Sequence, residues 1–472
     1  MHTSTQVLVI GGGPAGSTVA TMLVREGLEV TLMERDVFPR YHIGESLLPS
    51  CLEILDLIGA RDTIETYGFQ RKNGGYFSWG KDSWVLEFEH LRHPYSFQVT
   101  RAEFDHLLLE HAKSRGVQVF EGTAIRSLSF EGERPRSASW EQVVGGSASG
   151  EIAFDYLIDA SGRTGMMATR YLKNRHFHEA FQNVALWGYW QDAERATFAP
   201  EGSIMNGAVP DGWLWGIPLH NETTSVGYVL HKSAFKEKRQ QGGSLEQIYL
   251  DAIAECPLIA DLVRPGKLVS SVKTEQDYSY IAASLTGPGY FLIGDAACFI
   301  DPLLSTGVHL ATHSALLCAA SLASIVRGEL SEQEAMTFFE KSYRTAYLRL
   351  MVIVSGLYAQ YNGKESYFWQ AQVLTNHDHD DSEALNEAFL FVVSGMEDQL
   401  DAGKGMRSLD LAAVTKELSE DEAAKALALY NVYNKVFWRS STSPHTASDG
   451  LYITTEPRLG LARVEQARET RA

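Results

Sequence analysis

The sequence predicts an α/β protein organised around a parallel sheet. Residues 7–10 (VLVI) form a short apolar run suited to a buried strand, a glycine-rich turn follows at once, and residues 17–25 have helical spacing. A second strand over residues 29–33 completes a strand–helix–strand unit, and residues 290–297 begin another strand and turn. Strands joined through helices favour a parallel sheet. We therefore expect a Rossmann-like core.

Length and pattern divide the chain into three parts. At 472 residues it exceeds one average domain. Strands alternate with turns between residues 185 and 228, and helical patterns dominate beyond residue 330. The predicted parts are a Rossmann-like domain (1–175 and 270–330, with the hairpin segment around Lys72 inserted), a β-rich region (176–269) and a helical C-terminal region (331–472) that packs over the other two.

The turn over residues 11–16 has the spacing of a dinucleotide-binding fingerprint. Gly11 allows a tight turn, Gly13 lets the backbone approach a pyrophosphate, and Gly16 permits close packing of helix on strand. The amides and dipole of the helix start would hold the anion. Glu34 ends the second strand where a ribose hydroxyl needs an acceptor. The residues assigned to the dinucleotide here are Gly11, Gly13, Ala15, Gly16, Ser17 and Glu34.

The amino-acid composition restricts the classes of protein to which the chain can belong. With 44% hydrophobic and 21% charged residues the chain is an ordinary globular protein. No apolar run approaches ~18 residues and no signal peptide is evident, so we expect no membrane-spanning helix. The four cysteines are scattered without CxxC spacing, which favours reduced thiols in a cytoplasmic protein and no structural zinc. A net charge of −18 argues against nonspecific binding to nucleic acid or anionic membranes.

A shaped loop follows the second strand. Pro39 and Gly44 exclude a regular helix between residues 35 and 49, and helical spacing returns at residues 52–58. The polar tripeptide Gly44-Glu45-Ser46 lies between apolar residues shortly after the nucleotide-binding unit. Two interpretations stand: a strap over the cofactor, or an ordinary connector.

Two basic residues have uncertain roles on sequence alone. Lys72 stands among aromatic residues just ahead of a predicted hairpin (residues 76–79 and 84–88), and a lysine is ordinarily a solvated surface charge. Arg101 stands at the entrance of a helix over residues 102–113, where it could meet a phosphate or a ring oxygen, or form a surface ion pair.

The segment Gly212-Trp213-Leu214-Trp215-Gly216-Ile217-Pro218 places two tryptophans two residues apart. In a strand, that spacing puts Trp213 and Trp215 on one face. Core packing alone would account for them, because tryptophans mostly carry buried area. Earlier in the chain, residues 137–150 are rich in Ser and Gly and predict either a hairpin or a loose loop.

A second strand–turn–helix unit carries Asp295 at the end of its strand. The loop after it contains Pro302, Ser305, Thr306 and Gly307, and a long helix over residues 308–325 follows. A loop that opens a helix offers backbone amides to an anion. The tract at residues 377–381 (HDHDD) resembles a metal site, but five consecutive residues cannot converge on one ion, so we predict an exposed acidic loop and no metal.

From Val7 to about Tyr361 the sequence resembles the flavin-dependent halogenases, within the class of single-component flavoprotein monooxygenases. The glycine fingerprint with Glu34 and the Gly294-Asp295 motif are common to that class, and Gly44-Glu45-Ser46 narrows it. The segment from Gly212 to Pro218 matches the halogenases' GWxWxIP motif at every fixed position. Lys72, ahead of Gly74 and Trp79, stands where these enzymes keep their catalytic lysine.

The resemblance implies a fold, cofactors and partners. The fold would be α/β with a Rossmann-like FAD-binding domain of the GR2/PHBH-like type, and FAD would also contact Gly44, Glu45, Ser46, Arg101 and Asp295. Reduced flavin (FADH2) from a separate flavin reductase would react with oxygen, and a chloride or bromide ion would be converted to hypohalous acid. The acid would travel through a tunnel to Lys72, the catalytic residue.

Two further roles come from the same resemblance. Ser305, Thr306 and Gly307 match the family's halide-binding loop. Trp213 and Trp215 would keep an organic substrate away from the flavin and so suppress hydroxylation.

One position departs from the tryptophan-specific halogenases. Those members carry a glutamate immediately before the serine of the halide loop, and this chain has Leu304. The loop looks more like that of the phenol and pyrrole halogenases, in which the substrate is frequently tethered to an acyl carrier protein. The resemblance thus implies an electron-rich phenol or pyrrole, free or carrier-bound, in natural-product (antibiotic) biosynthesis. The base that takes the phenolic proton is not identifiable from sequence.

Three alternatives remain at this point. An aromatic hydroxylase would use flavin-bound oxygen directly and would need neither the lysine nor the tryptophan barrier. A reductase like the geranylgeranyl reductases would hold a long apolar chain in the β-rich region. A flavin-binding scaffold without catalytic activity would lack one of the halogenase motifs, and no motif is obviously missing.

Overall fold

The structure, a computed structural model, describes residues 3–79, 82–89, 93–360 and 447–464. The acidic tract at residues 377–381, for which an exposed loop was predicted, lies outside these ranges. The elements are built around two sheets, and the pattern predicted from the N-terminus begins the first of them.

The first sheet has eight strands. Its elements are β1 (Ser4–Ile10), β2 (Val30–Met33), β7 (Gln118–Phe120), β8 (Thr123–Glu131), β9 (Arg134–Gln142), β10 (Ser149–Asp159), β17 (Thr286–Gly287) and β18 (Tyr290–Leu292). Their order is β17-β18-β10-β1-β2-β7, with β9 on β10 and β8 on β9. β1 runs parallel to β2 and to β10, which confirms the predicted parallel core. β9 and β10 form a hairpin, one of the two structures predicted for residues 137–150.

The second sheet has nine strands. They are β4 (Gly74–Trp79), β5 (Asp82–Glu87), β11 (Arg175–Gln191), β12 (Ile204–Val209), β13 (Gly212–Pro218), β14 (Thr223–His231), β15 (Lys267–Leu268), β16 (Lys273–Ala282) and β19 (Cys298–Phe299). Their order is β19-β16-β11-β14-β13-β12-β4-β5, with β15 on β11. The predicted hairpin is β4–β5. This sheet therefore takes strands from the β-rich region and from both segments around it.

Helices cover the sheets. They are α1 (Pro14–Arg25), α2 (Ser50–Ile58), α3 (Arg61–Tyr67), α4 (Arg101–Ser114), α5 (Lys232–Gln240), α6 (Leu245–Glu255), α7 (Pro257–Val263), α8 (Gly307–Val326) and α9 (Glu332–Gln360). Short helical turns span Gly162–Thr164, Met167–Tyr171, Gly294–Ala296 and Pro302–Leu304. One apolar core runs through the first sheet, α1, α8 and the inner face of the second sheet. A second lies between the outer face of that sheet and α6 and α7.

Lys72 lies just ahead of the β4–β5 hairpin, as predicted, and it also ends a strand of its own, β3 (Gln70–Lys72), which pairs with β6 (Ser96–Gln98). The last described residues form a further hairpin, β20 (Leu451–Thr454) and β21 (Gly460–Arg463). It is anchored because the Ser324 hydroxyl accepts a bond from the Leu461 amide.

The predicted helix over residues 308–325 is α8. By length and composition it is apolar enough to cross a membrane. Its most apolar window is 94% buried inside the fold, so it packs as a core helix.

Candidate active site

A cleft of about 570 Å³ lies between the two sheets. The glycine turn, the Gly44–Ser46 segment and the start of α8 contribute to its walls. The predicted site residues that line it are Gly11, Gly13, Ala15, Glu34, Gly44, Glu45, Ser46, Arg101, Trp213, Trp215, Asp295, Ser305, Thr306 and Gly307. Gly16, Ser17 and Lys72 do not line it.

The glycine turn is shaped by steric necessity. Gly11 has φ +103°, and a Cβ there would lie 2.3 Å from the Ala160 carbonyl oxygen. A Cβ on Gly16 would lie 1.9 Å from the Gly11 carbonyl oxygen, so Gly16 sets the close approach of α1 to β1. The Ser17 hydroxyl donates to the Gly12 carbonyl at 2.8 Å and holds the turn from behind. Gly13 is the N-cap of α1 and has no side chain to cap it. The first amides of the helix therefore face the cleft, as an anion site requires.

Glu34 is fixed next to that turn. Its two carboxylate oxygens accept bonds from the Gly12 amide (2.6 Å) and the Asp36 amide (2.8 Å). Each oxygen keeps a further lone pair for a ligand hydroxyl. The carboxylate is thus preorganised at the position predicted for a ribose acceptor.

The segment Gly44-Glu45-Ser46 crosses the cleft. Gly44 has φ +103°, and its carbonyl accepts from Arg101 Nη1 at 3.3 Å. Arg101 is buried and forms a two-point ion pair with Asp105 at 2.7 and 2.9 Å. The guanidinium therefore holds the segment in place from α4, a contact that neither sequence interpretation of Arg101 included.

The loop before α8 forms a concavity of backbone amides. Ser305 adopts the left-handed conformation (φ 59°) and Thr306 the right-handed one (φ −85°). Such an alternation turns successive amides toward one point and makes an anion-binding nest. The nest opens a 20-residue helix, whose dipole favours negative charge there. Thr306 is fully buried, and its hydroxyl oxygen has no hydrogen-bond partner in the described residues.

The two tryptophans of β13 form a wall of the cleft. Their rings lie on one face, 6.0 Å apart between centroids, and both residues are buried. Gly227, opposite Trp215 on β14, makes room for it, because a Cβ there would lie 2.0 Å from the indole. Trp213 Nε1 donates to the Tyr358 hydroxyl at 2.7 Å. The wall is therefore tied to α9.

A buried carboxyl connects this wall to the loop before α8. The Tyr358 hydroxyl donates to Asp301 Oδ2 at 2.9 Å, and Asn183 Nδ2 donates to the same oxygen at 2.8 Å. Burial raises the pKa of Asp301 to about 6. Sequence reasoning missed Asp301 as a site residue, since its partners lie 57 and 118 residues away.

Lys72 is buried and does not line the cleft. Only 2% of it is exposed, and its Nζ donates to the Leu47 carbonyl at 3.0 Å. Burial lowers the pKa of the ammonium from 10.5 to about 7. The ordinary interpretation, a solvated surface lysine, is thereby wrong. The amine therefore contacts the backbone of the residue that directly follows the Gly44-Glu45-Ser46 segment.

The cleft also contains residues that the sequence analysis did not single out. They include Arg40, Tyr41, His42, Arg163 and Trp187. Arg40 reaches across the glycine turn, with Nη2 3.4 Å from the position of a Cβ on Gly13, and pairs with Asp105 at 3.0 Å. In the sequence, the signal that could have identified Arg40 as a site residue was its position six residues after Glu34. Asp295 faces the cleft, where desolvation raises its pKa against the opposing charges of Arg163 and Arg101.

The arrangement fits FAD. A dinucleotide with a flavin requires several features that this cleft has. They are an uncapped helix start, glycines at positions where a Cβ would clash or block the site, the preorganised Glu34, and a cleft long enough to reach the α8 loop. Among the described residues no group of three or more His, Cys, Asp or Glu could hold a metal ion. All four cysteines are free and buried.

Known proteins share this sequence and fold. The tryptophan halogenase family model matches residues 6–95 and 90–392. Tryptophan 2-halogenase of Chondromyces crocatus is 45% identical over 496 residues, covering 98% of this chain and 95% of its own. Flavin-dependent halogenase armH2 of Armillaria mellea is 38% identical over 444 residues, covering 89% of this chain and 84% of its own.

Among solved structures, the myxobacterial chondrochloren halogenase CndH, a variant of FAD-dependent halogenases, superposes with a TM-score of 0.75 at 32% identity. The match covers 94% of this chain and 99% of that one. The similarity thus extends over both sheets and not only over the dinucleotide-binding unit, which many flavoproteins share.

Proposed function

The chain belongs to the tryptophan halogenase family of flavin-dependent halogenases, and we propose that it halogenates an electron-rich aromatic ring through Lys72. Members are oxidoreductases that bind FAD, take a halide as co-substrate, and generally need a separate flavin reductase and an aromatic substrate. FAD, when bound in reduced form, supplies the two electrons that reduce oxygen. The balance is FADH2 + O2 + X⁻ + H⁺ → FAD + HOX + H2O, followed by ArH + HOX → ArX + H2O.

In this proposal the N-terminal wall of the cleft holds the cofactor. The first amides of α1 take the pyrophosphate, because Gly13 leaves the backbone open and the helix dipole favours an anion. Glu34 accepts a ribose hydroxyl with a lone pair that its backbone donors leave unused. The Gly44–Ser46 strap, held by Arg101, closes over the ring system.

The nest at Ser305–Gly307 takes the halide. The amides of Thr306 and Gly307 point at one concave spot, and the Thr306 hydroxyl supplies a further donor that has no other partner in the described residues. A desolvated halide needs such donors, because burying an unpaired charge is costly. A Cβ at Gly307 would meet nothing within 4 Å, so this side of the nest is open.

The tryptophan wall separates the two half-reactions. Trp213 and Trp215 close one side of the cleft with buried rings, and their indole N–H groups are already bonded within the protein. An organic substrate on the far side would then meet hypohalous acid rather than oxygen activated at the flavin. Halogenation is favoured over hydroxylation for that reason.

The observation that carries the proposal is the buried amine of Lys72, bonded to the Leu47 carbonyl directly after the Gly44–Ser46 segment. An ordinary lysine at pH 7 is a free amine in about one molecule in three thousand, whereas a pKa of about 7 makes about half of Lys72 neutral. A neutral amine can take the halogen from hypohalous acid as a haloamine or bind the acid by a hydrogen bond. The low pKa thus supplies the nucleophile that the proposed step requires.

The proposed substrate is a phenol or a pyrrole-type ring, free or bound to a carrier protein. Leu304 provides no carboxylate next to the halide nest, so the ring itself must be electron-rich. The 45% identical relative is named for the 2-position of tryptophan, which belongs to the pyrrole half of the indole, and tryptophan is therefore the second candidate.

A substrate panel tests this choice. The chain would be incubated aerobically with a flavin reductase, FAD, NADH and halide, together with tryptophan, free phenols and pyrroles, and the same rings on a carrier protein. Mass spectrometry should find one halogen added to a phenol or pyrrole. Halogenation of tryptophan alone would favour the second candidate, and hydroxylation without halide would overturn the proposal in favour of a hydroxylase.

A further inference from the structure

The balance of the proposed reaction leaves one proton to be delivered to the cleft. Hydrogen peroxide, the side product, needs none, since FADH2 + O2 → FAD + H2O2 is already balanced. Formation of HOX from a halide ion consumes one proton per turnover. Protein groups that line the cleft can hold that proton and deliver it.

Glu45 is the carboxyl best placed to hold it. The residue lines the cleft at the strap, yet only 2% of it is exposed. One carboxylate oxygen, Oε1, accepts from the Tyr189 hydroxyl at 2.7 Å. The other, Oε2, is buried and makes no hydrogen bond of normal geometry. Burial raises the pKa of Glu45 to about 7, although Ser225, Tyr189 and Arg101 oppose the shift.

A line of hydroxyl groups connects this carboxyl to solvent. The Tyr189 hydroxyl lies 2.9 Å from the Tyr41 hydroxyl, and Trp187 Nε1 donates to Tyr41 at 2.5 Å. Tyr41 is 48% exposed. Lys273 stacks on its ring, with Nζ 4.2 Å from the centroid. The path therefore runs from bulk water at Tyr41 to the cleft at Glu45.

The direction of these bonds follows from their two ends. A carboxylate can only accept, so Tyr189 donates to Glu45. Tyr189 has a single hydroxyl proton and gives it to Glu45, so Tyr41 is the donor in its bond to Tyr189, while it accepts from the Trp187 indole N–H. Every donor thus points toward Glu45. Burial raises the pKa of both tyrosines, so each one passes a proton as a neutral hydroxyl, taking one as it gives one.

We propose that Tyr41, Tyr189 and Glu45 form a proton relay that delivers to the cleft the proton consumed in making hypohalous acid. The inference rests on the proposed function. It predicts that breaking the relay diverts the oxygen reaction from hypohalous acid to hydrogen peroxide, because the peroxide needs no external proton.

The test uses Glu45→Gln and Tyr189→Phe, which keep size while removing the acid and the hydroxyl. Tyr76→Phe, on the outer face of the same sheet, is the matched control. With reduced FAD, oxygen and halide, and without organic substrate, a dye would trap hypohalous acid while peroxide is quantified. Each relay variant should lose at least tenfold in the ratio of hypohalous acid to peroxide, and Tyr76→Phe should keep it. FAD affinity, measured by fluorescence titration, should change less than threefold in Tyr189→Phe, which lies outside the cofactor contacts assigned above.

A second readout needs no turnover. Infrared titration of the cofactor-free protein should show a protonated carboxyl band that disappears with a midpoint near pH 7. The band should be absent in Glu45→Gln and should titrate at higher pH in Tyr189→Phe, which has lost a donor to the carboxylate. If Glu45→Gln does not fold, Tyr189→Phe alone decides. A wild-type ratio of hypohalous acid to hydrogen peroxide in both variants would overturn the relay. A wild-type chain that makes no hypohalous acid would overturn the proposed function instead.

Discussion

Replacement of Lys72 separates the flavin half-reaction from the substrate half-reaction. The amine lies outside the cleft, bonded to the Leu47 carbonyl, so its loss leaves the cofactor and halide walls intact. Lys72→Met preserves chain length without a charge, and Lys72→Arg preserves the charge without a free amine. Both variants should bind FAD and release hypohalous acid at close to wild-type rates. Both should lose nearly all halogenated product.

The magnitude follows from the fraction of neutral amine. With a pKa of about 7, Lys72 is about half neutral at pH 7 and about 1% neutral at pH 5. Product formed per hypohalous acid released should therefore fall about tenfold per pH unit below 7 and level off above it. In Lys72→Arg the ratio should drop at least a hundredfold, because a guanidinium stays protonated at every accessible pH.

The assay traps hypohalous acid with an external dye in one sample and quantifies organic product in a parallel one. Lys236→Met, an exposed lysine on α5, is the matched control and should match the wild type in both. A Lys72→Met enzyme that halogenates its substrate at the wild-type rate would remove the lysine from the chemistry. A flat pH profile in the wild type would refute the role of the shifted pKa.

Four further predictions concern the cofactor, the halide and stability. Gly13→Val should still fold, because Gly13 has an ordinary φ and a Cβ there meets only Arg40 Nη2 at 3.4 Å. It should purify colourless, because the added methyl groups block the pyrophosphate. Full FAD affinity by fluorescence titration would mean that the site is misplaced. Glu34→Ala should weaken FAD binding by only ~1.5–3 kcal/mol, the value of one bond to a charged acceptor. Thr306→Val should raise the halide KM about tenfold and leave peroxide release nearly unchanged, and an unaltered halide KM would exclude the hydroxyl from the site. Between pH about 7 and 10.5, Lys72 binds fewer protons in the folded than in the unfolded chain, so the wild-type free energy of unfolding rises with pH across that window. At pH 7, Lys72→Met should therefore exceed the wild type in free energy of unfolding, measured with urea, by up to about 5 kcal/mol. The difference should vanish near pH 10.5.

Local signals in the sequence predicted the parts of the site that one short segment builds. The glycine turn with Glu34 was predictable, since strand, turn, helix and acid follow each other and sterics require glycine at Gly11 and Gly16. The common face of Trp213 and Trp215 followed from the two-residue period of a strand.

Contacts between distant segments were not predictable in the same way. Lys72 is buried because the strap and β6 cover it, and nothing within its own segment indicates that. The relay joins Glu45 to Tyr189 across 144 residues, and Asp301 meets Asn183 across 118. Such pairs depend on how two sheets face each other, which hydrophobic periodicity does not specify. For the same reason the division into three sequence segments remains a prediction, since the second sheet draws strands from all around the β-rich region.

Halide dependence of the product mass tests the central claim most directly. The chain would be supplied with reduced FAD, oxygen and the aromatic substrate identified in the panel. One sample would contain chloride, one bromide and one neither halide. The account predicts a product heavier by one chlorine or one bromine with the matching isotope pattern, and unmodified substrate when halide is omitted. A hydroxylated product in the halide-free sample would contradict it.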